Sequence, residues 1–471
     1  MTNWIPDPHK GDGPMYARIA EQIEHAISSG ALPVGTKLPP QRNLAFDIGV
    51  TLGTIGRAYQ IARERGLVSG EVGRGTYVLE HTESRPAEQS DPLTTALAGT
   101  RPIKAPPGKL RFDSTAAPDI GQGAALEKIV VDISREHHAE IASYARDFPE
   151  HWFEAGSQWL AKGSFRPLPE RIVPTLGAHA GAVAVIAAVT APGDKIAFES
   201  LTYSQVSRSA GLIGRRTVLL RSDEYGLDPE DFERVCAQQH PKLAFLMPTA
   251  QNPTVVTLSL ERRQAIADIA RRHGVWLLED DLYGGMTGNM TPLLAELAPD
   301  RTFLVGGLSK SVAAGIRGGW VACPPHFSQR IRIAHKMVSG GVPFLLAELG
   351  ARMALSGEAA KLRARTIEEI RAREAIAREI FDGFEFNSDP NVPFLWLKLT
   401  EPWLSGTFKH AAFEEGVMVD DEDEFKAGRT DVAYHRVRIG FSSPSREEVR
   451  RGFLVLRRLL DSGRAGYDSF A

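Results

Sequence analysis

The sequence predicts an α/β protein in two folded units, a small N-terminal helical unit and a large one built on a mostly parallel sheet. Three observations lead there. At 471 residues the chain exceeds the size at which one hydrophobic core keeps growing, so more than one unit is expected. Three short helical patterns and a pair of β-rich pieces fill residues 12–80. From Arg111 onward, short apolar runs alternate with helical stretches, as they do where helices cover both faces of a sheet.

In the small unit, "MYARIAEQIEHAISSG" carries Ile19, Ile23 and Ala26/Ile27 at helical spacing and stops at Gly30, a residue type favoured just past a helix end. "LPPQRNLAFDIGV" predicts a short helix after a double proline, and "TLGTIGRAYQIARERG" a third, with Thr51 as its N-cap. The short turn at Gly49 joins these two as a helix-turn-helix. "LVSGEVGRGTYVL" reads as a small hairpin, or wing, made of Leu67–Ser69 and Thr76–Leu79 around a Gly/Arg tip.

Such a unit can set its third helix in a major groove and its wing tip on phosphate or in the minor groove. Arg42, Arg57 and Arg74 fall on the second helix, the third helix and the tip, where backbone contacts are needed, and Gly73 and Gly75 free Arg74 to approach. The opposing observation is charge. Basic residues over the first eighty positions are matched by as many acids, which also suits a helical accessory unit with no DNA role.

Residues 81–110, with Pro86, Pro92, Pro102, Pro106 and Pro107, have the composition of an extended, semi-rigid linker, which leaves 111–463 as the large unit. A net charge of -3 gives no global positive field, so nucleic acid must be met by a local patch. Cys236 and Cys323 belong to no CxxC or Cys/His cluster, which argues against a disulfide scaffold or structural zinc and suits a reducing, cytoplasmic setting. "MTNWIPDPHKGDGP" lacks the basic start and apolar run of a secretory signal. No apolar run has the length of a membrane span; "AGAVAVIAAVTAPGD" reads as a buried helix ended by Pro192-Gly193.

In the large unit the strand candidates are "RIVPTLG", "DKIAFES", "RTVLLRS", "LAFLMPT", "VWLLEDD" and "TFLVGGLSK". Chemistry in such a sheet gathers at the strand C-terminal ends. There stand Tyr203, Asn252, Asp280 with Asp281 and Tyr283, and Lys310 with Arg317 beyond it in "GGLSKSVAAGIRGGW". A lysine on a tight Gly/Ser turn can be desolvated toward its neutral, nucleophilic form and reach a bound carbonyl, the setting of a Schiff base. Taken alone it would be an exposed lysine on an ordinary turn.

The whole set suits pyridoxal phosphate. Lys310 answers the aldehyde, and Asp280 keeps the pyridinium nitrogen protonated as an electron sink. Asn252 and Tyr283 can donate to the phenolate oxygen, and Tyr203 can stack on the ring. The phosphate dianion needs converging backbone N–H groups, offered by the turns Gly177-Ala178-His179 and Leu308-Ser309-Lys310, and Arg317 can add a forked contact. Read singly, Arg438 could be a surface salt-bridge former, Tyr203 a core aromatic and His179 a turn filler.

Residues 14 to 78 resemble the winged helix-turn-helix of the GntR family of bacterial regulators at "LPPQRNLAFDIGVTLGTIGRAY" and "GLVSGEVGRGTYV". That family often has Ser-Arg at the start of the recognition helix, where this chain has Thr51-Leu52, so base contact is expected from Thr54 and Arg57 instead. The resemblance implies DNA contacts from Arg42, Thr51, Thr54, Arg57, Arg74 and Gly75.

Residues from about 111 to 460 resemble the fold-type-I aminotransferases, in the MocR branch that joins them to GntR-type domains, at "PTLGAHAG", "ESLTYS", "PTAQNPT", "LLEDDLYGG", "GGLSKSVAAGIRGG" and "VRIGFSSP". The fold so implied is a pyridoxal-phosphate-dependent transferase domain with a mostly parallel central sheet and a smaller C-terminal α+β subdomain. The resemblance makes Lys310 the Schiff-base lysine, Asp280 the pyridine-nitrogen partner, Asn252 and Tyr283 the phenolate contacts, and Ser309 and Arg317 phosphate ligands, with Ala178 and His179 on the other phosphate turn. Arg438 matches the arginine that grips a substrate α-carboxylate. Asp280 rather than Asp281 is chosen because it keeps the D-x-x-Y spacing to Tyr283.

The chain departs from the pattern in three places. Val255 follows Asn252-Pro253-Thr254 where glycine is usual, Gly307 stands where a hydroxyl is common, and Asp420 to Glu424 replace a Pro-Gly turn. The acid run reads as a solvated face, with tuning of ligand choice as the alternative. The expected function is a homodimeric regulator of double-stranded operator DNA that senses an amine, an amino acid or a B6 vitamer. Two other readings remain: a working aminotransferase with Lys310 as general base and an accessory head, and a DNA-binding protein whose large domain is a scaffold without cofactor.

Overall fold

The computed structural model describes residues 4–7, 14–65, 67–71, 75–79, 106–145, 147–430 and 432–462. The chain divides into two compact units, Met1–Ala98 and Gly99–Ala471. Most of the expected linker, and Arg74 at the wing tip, lie outside the described residues.

The small unit has helices Met15–Ser28, Gln41–Asp47 and Leu52–Glu64, followed by the antiparallel pair Val68–Glu71 and Gly75–Val78, which Gly75 opens. The spacing that predicted the first helix is its packing: Ile19, Ile23 and Ala26 are buried against Leu44, Ile55 and Tyr59 of the other two. Thr51 caps the third helix, its Oγ1 accepting the Thr54 N–H at 3.2 Å. Gly49 takes φ +66 in the turn before it, a conformation that costs glycine nothing.

In the large unit a seven-stranded sheet runs in the order Ile172–Leu176, Gly318–Ala322, Thr302–Gly307, Trp276–Asp280, Leu243–Leu246, Lys195–Glu199, Arg216–Leu220. All pairings are parallel except the two made by Gly318–Ala322, which is antiparallel to both neighbours. The sequence reading found every strand but this one. Its two glycines are poor strand formers, yet a Cβ on Gly319 would lie 2.7 Å from the backbone of Gly177, so close packing overrides propensity here. The Ala-rich helix spans Gly177–Val189, mostly buried, and stops ahead of Pro192-Gly193.

A second sheet, ordered Phe386–Ser388, Phe394–Lys398, Arg436–Phe441, Asp420–Asp421, is backed by helices Glu358–Ile380 and Arg446–Asp461. Asp113–Ser114 pairs in parallel with its Arg436–Phe441 strand. One hydrophobic core runs through both sheets, joining Phe198 and Phe245 to Phe394, Ile439 and Phe453. That shared core fixes Arg438 of the second sheet beside the strand ends of the first. Among the described residues no helix is long and apolar enough to cross a membrane.

Candidate functional site

A cavity of ≈ 270 Å³ opens at the strand ends, lined by Ala178, His179, Tyr203, Asn252, Asp280, Tyr283, Ser309, Lys310, Arg317 and Arg438. Every pocket residue singled out in the sequence is therefore brought to one place. Asp280 ends the strand Trp276–Asp280, and Lys310 lies just past Thr302–Gly307. Ala178 and His179 sit in the first turn of Gly177–Val189, where backbone N–H groups have no helical partner. Arg317 immediately precedes Gly318–Ala322 in left-handed conformation, φ +51.

Asp280 is buried, and its carboxylate accepts the Leu282 N–H at 3.1 Å. Burial pushes its pKa up to about 7, with the Leu282 N–H and Lys310 opposing and Asp281 adding to the rise. Such a carboxylate gains most from a cation delivered into the pocket. Asp281 lines a different cavity with Lys162 and Arg363, and meets Lys162 Nζ at 3.5 Å.

Lys310 Nζ and the Tyr283 hydroxyl donate to one acceptor, Thr115 Oγ1, at 3.1 and 3.0 Å. Burial raises the Tyr283 phenol to about 12, so it stays protonated as a donor. Burial and the Arg317 charge lower the His179 pKa, and its ring meets the edge of Tyr203 at 5.9 Å between centroids. Among the described residues no acid pairs with Arg317. Thr115 was missed in the sequence because it belongs to no strand end of the main sheet and reaches the site only through the fold.

Arg438 is a correction to its surface reading and to that of the acid run. Its side chain is 1% exposed and pairs with the equally buried Asp420, Nη2 to Oδ2 at 2.5 Å. Nη2 also reaches the Asp113 carbonyl at 3.1 Å, and Nη1 donates to Asn252 Oδ1 at 2.9 Å, leaving the Asn252 NH2 as the end able to donate to a ligand. Asp420, Asp421, Glu422 and Glu424 are buried and Asp423 alone is exposed, so this is no solvated face.

Gly307 is explained too: a Cβ there would lie 2.6 Å from the Gly318 carbonyl, which excludes a hydroxyl residue. Val255, in place of glycine, holds φ +65, a region β-branched residues rarely enter.

The donor set fits pyridoxal phosphate. Asp280 would hold the ring nitrogen, Asn252 and Tyr283 the phenolate oxygen, and the Gly177 turn, Ser309 and Arg317 the phosphate, with Lys310 at the aldehyde. His179 Nδ1, buried without a hydrogen-bond partner on the pocket wall, is a polar atom awaiting one. The bound group would supply an aldehyde able to capture a primary amine and a protonated ring to withdraw electrons from it.

In the small unit, Arg42 and Arg57 are exposed, and the Arg57 guanidinium lies over the Tyr16 ring at 4.4 Å. The Thr51 and Thr54 hydroxyls are 2.9 Å apart, so the N-cap already engages both.

Sequence comparison bears on both units. The profile of the bacterial regulatory proteins of the gntR family matches residues 15–78, and that of aminotransferase class I and II matches residues 160–453. The HTH-type transcriptional regulator YdeF of Bacillus subtilis is 29% identical over 463 residues, covering 98% of this chain and 97% of its own. The HTH-type pyridoxine biosynthesis transcriptional regulator PdxR of Corynebacterium glutamicum is 26% identical over 68% of each chain. Among solved structures, the α-aminoadipate aminotransferase LysN of Thermus thermophilus superposes with a TM-score of 0.69 at 21% identity, over 76% of this chain and 94% of its own. The kynurenine aminotransferase of Pyrococcus horikoshii gives the same score at 20% identity, over 82% and 96%. These two likenesses concern the fold. The chain belongs to the aminotransferase class I and II family, whose cofactor is pyridoxal phosphate, and carries ahead of that domain a GntR-type helix-turn-helix, the composition of a MocR-type transcriptional regulator.

Proposed function

We propose that this regulator binds pyridoxal phosphate at Lys310 and reports, through its grip on DNA, whether an amine-bearing small molecule occupies the pocket beside it. One observation carries the reading: a pocket holding Lys310, Asp280, Asn252, Tyr283 and Arg317 lies in the same chain as a winged helix-turn-helix. A ligand can shift operator affinity only by binding two states of the protein unequally. In this reading the protein acts in the cytoplasm as a homodimer, since paired winged helices suit two operator half-sites.

The test is fluorescence anisotropy of the full chain on its own upstream intergenic DNA, with a scrambled duplex as control, with and without pyridoxal phosphate. Specific binding that changes with the cofactor is expected. Specific binding indifferent to cofactor and to amines alike would sink the sensing role. Steady keto-acid production from an amino donor would instead favour an enzyme with an accessory head.

A further inference from the structure

The buried Arg438–Asp420 pair says more about the ligand. We propose that the molecule admitted beside Lys310 is a primary amine whose amine-bearing carbon carries no carboxylate, and that Asp420 sets this choice. The inference rests on the cofactor-loaded pocket proposed above and names its ligand class.

Arg438 is the residue that would take an α-carboxylate, but both of its Nη nitrogens are already engaged within the protein. Nη2 is held by Asp420 Oδ2 and the Asp113 carbonyl, and Nη1 by Asn252 Oδ1. The rings of Phe425 and Phe394 lie 4.7 and 5.5 Å from the guanidinium carbon. The charge is thus compensated within the protein, away from water. A carboxylate arriving at Arg438 would set a second anion beside Asp420, and like charges brought together in a dry site repel strongly. If it displaced Asp420 instead, that buried carboxylate would lose its partner, which is costly by itself.

Among the described residues, the other arginines lining this cavity are Arg111 and Arg317. Arg111 is clamped by both oxygens of Asp113, at 2.9 and 3.0 Å. Arg317, with no acid partner among the described residues, precedes the Gly318–Ala322 strand that packs on the Gly177 turn, where the phosphate is expected. A neutral side chain on the amine meets none of these penalties.

The experiment loads the full chain with pyridoxal phosphate and follows the absorption of the bound cofactor as ligand is added. Two pairs differing by one carboxylate are used: propylamine against L-2-aminobutyrate, and 3-methylbutylamine against L-leucine. In the native protein each amine should perturb the spectrum at a concentration about tenfold or more below its amino acid, and Asp420→Asn should close or invert that gap. The native ranking stands as a test even where the variant is unstable. Amino acids as effective as their amines in the native protein would overturn the assignment alone. Failure of the chain to take up cofactor, with no borohydride-fixed adduct on Lys310, would overturn the assignment together with the reading beneath it.

Discussion

Asp280 and Asp281, consecutive in the chain, line different cavities: Asp280 shares one with Lys310, and Asp281 meets Lys162 at 3.5 Å in the other. A one-residue step along a strand turns a side chain to the opposite face, so the two carboxylates cannot exchange roles. Asp280→Asn should weaken cofactor binding by about tenfold or more, the scale of losing one charge-assisted contact, while Asp281→Asn should change it by less than about threefold. Equilibrium dialysis against pyridoxal phosphate decides, and the reverse ranking would reassign the ring-nitrogen partner.

The same burial gives a pH signature. Asp280 has an ordinary value of 3.8 and a folded value of about 7, so between these the folded chain keeps a proton that the unfolded chain has released. Its contribution to stability is then full below the lower value and is lost as pH rises through the higher one. Glu279, raised to about 7, and Glu199, raised to about 8, act with the same sign because burial dominates both. Glu369, drawn down to about 2 chiefly by Arg446, loses its contribution only on acidification below this window. His335, drawn down to about 4 by burial, and His179, lowered by burial and the Arg317 charge, act with the opposite sign below their ordinary value of 6.5, so thermal melts of cofactor-free protein should fall from about pH 6.5 to about pH 8, and Asp280→Asn should flatten the trend. An identical slope in the variant would count against a protonated Asp280.

Thr115 is a positioning residue with a measurable role. As the acceptor of both Lys310 and Tyr283 it sets where the amine and the phenol rest. Thr115→Val keeps the shape and removes the acceptor, leaving the buried Tyr283 hydroxyl without it at a cost of about 1–3 kcal/mol. Cofactor affinity should drop about tenfold with the far-ultraviolet circular dichroism unchanged. Thr115→Ser, which restores the hydroxyl, should recover it; failure of that rescue would point to packing instead.

The strands ending at Asp280 and before Asn252 were legible in the sequence because apolar runs bounded by polar residues are the signature of a sheet buried on both faces. Two features were not. The Gly318–Ala322 strand is dictated by backbone contact with Gly177, a partner distant in sequence. The burial of Asp420, Glu422 and Glu424 follows from long-range pairs such as Arg438–Asp420 and Arg208–Glu424, which an acidic run does not announce. Local pattern fixes elements and motifs; which charges find partners inside is settled by the assembled fold.

On the DNA side, Arg57 is exposed with its guanidinium over the Tyr16 ring at 4.4 Å, and we propose it as a contact to a DNA phosphate. Arg57→Ala should weaken binding on operator and scrambled DNA alike and lower the salt slope by about one, the loss of one phosphate contact. Anisotropy titrations at several salt concentrations read both. Thr51→Ala should act differently, costing the unit about 1 kcal/mol through its lost N-cap, visible as a lower melting temperature of that unit. An unchanged salt slope in the arginine variant would remove Arg57 from the backbone contacts.

The close approach of Gly319 to Gly177 ties the hidden strand to the phosphate turn. A Cβ on Gly319 would sit 2.7 Å from Gly177 and 2.8 Å from the Ala178 nitrogen, and these neighbours are backbone, which cannot rotate away. Gly319→Ala must therefore push the start of the Gly177–Val189 helix off the strand, moving the N–H groups expected to meet the phosphate. Overpacking of this kind costs about 1–3 kcal/mol, read by urea unfolding, and cofactor affinity should fall with it. Gly211, exposed on the helix Ser204–Leu212 with nothing within 4 Å of its added Cβ, is the control. Gly211→Ala should be neutral or stabilise by up to about 1 kcal/mol, since alanine loses less entropy in a helix. If Gly319→Ala lowered stability but left cofactor affinity intact, the phosphate would have to be held by Ser309 and Arg317 without the helix N-terminus.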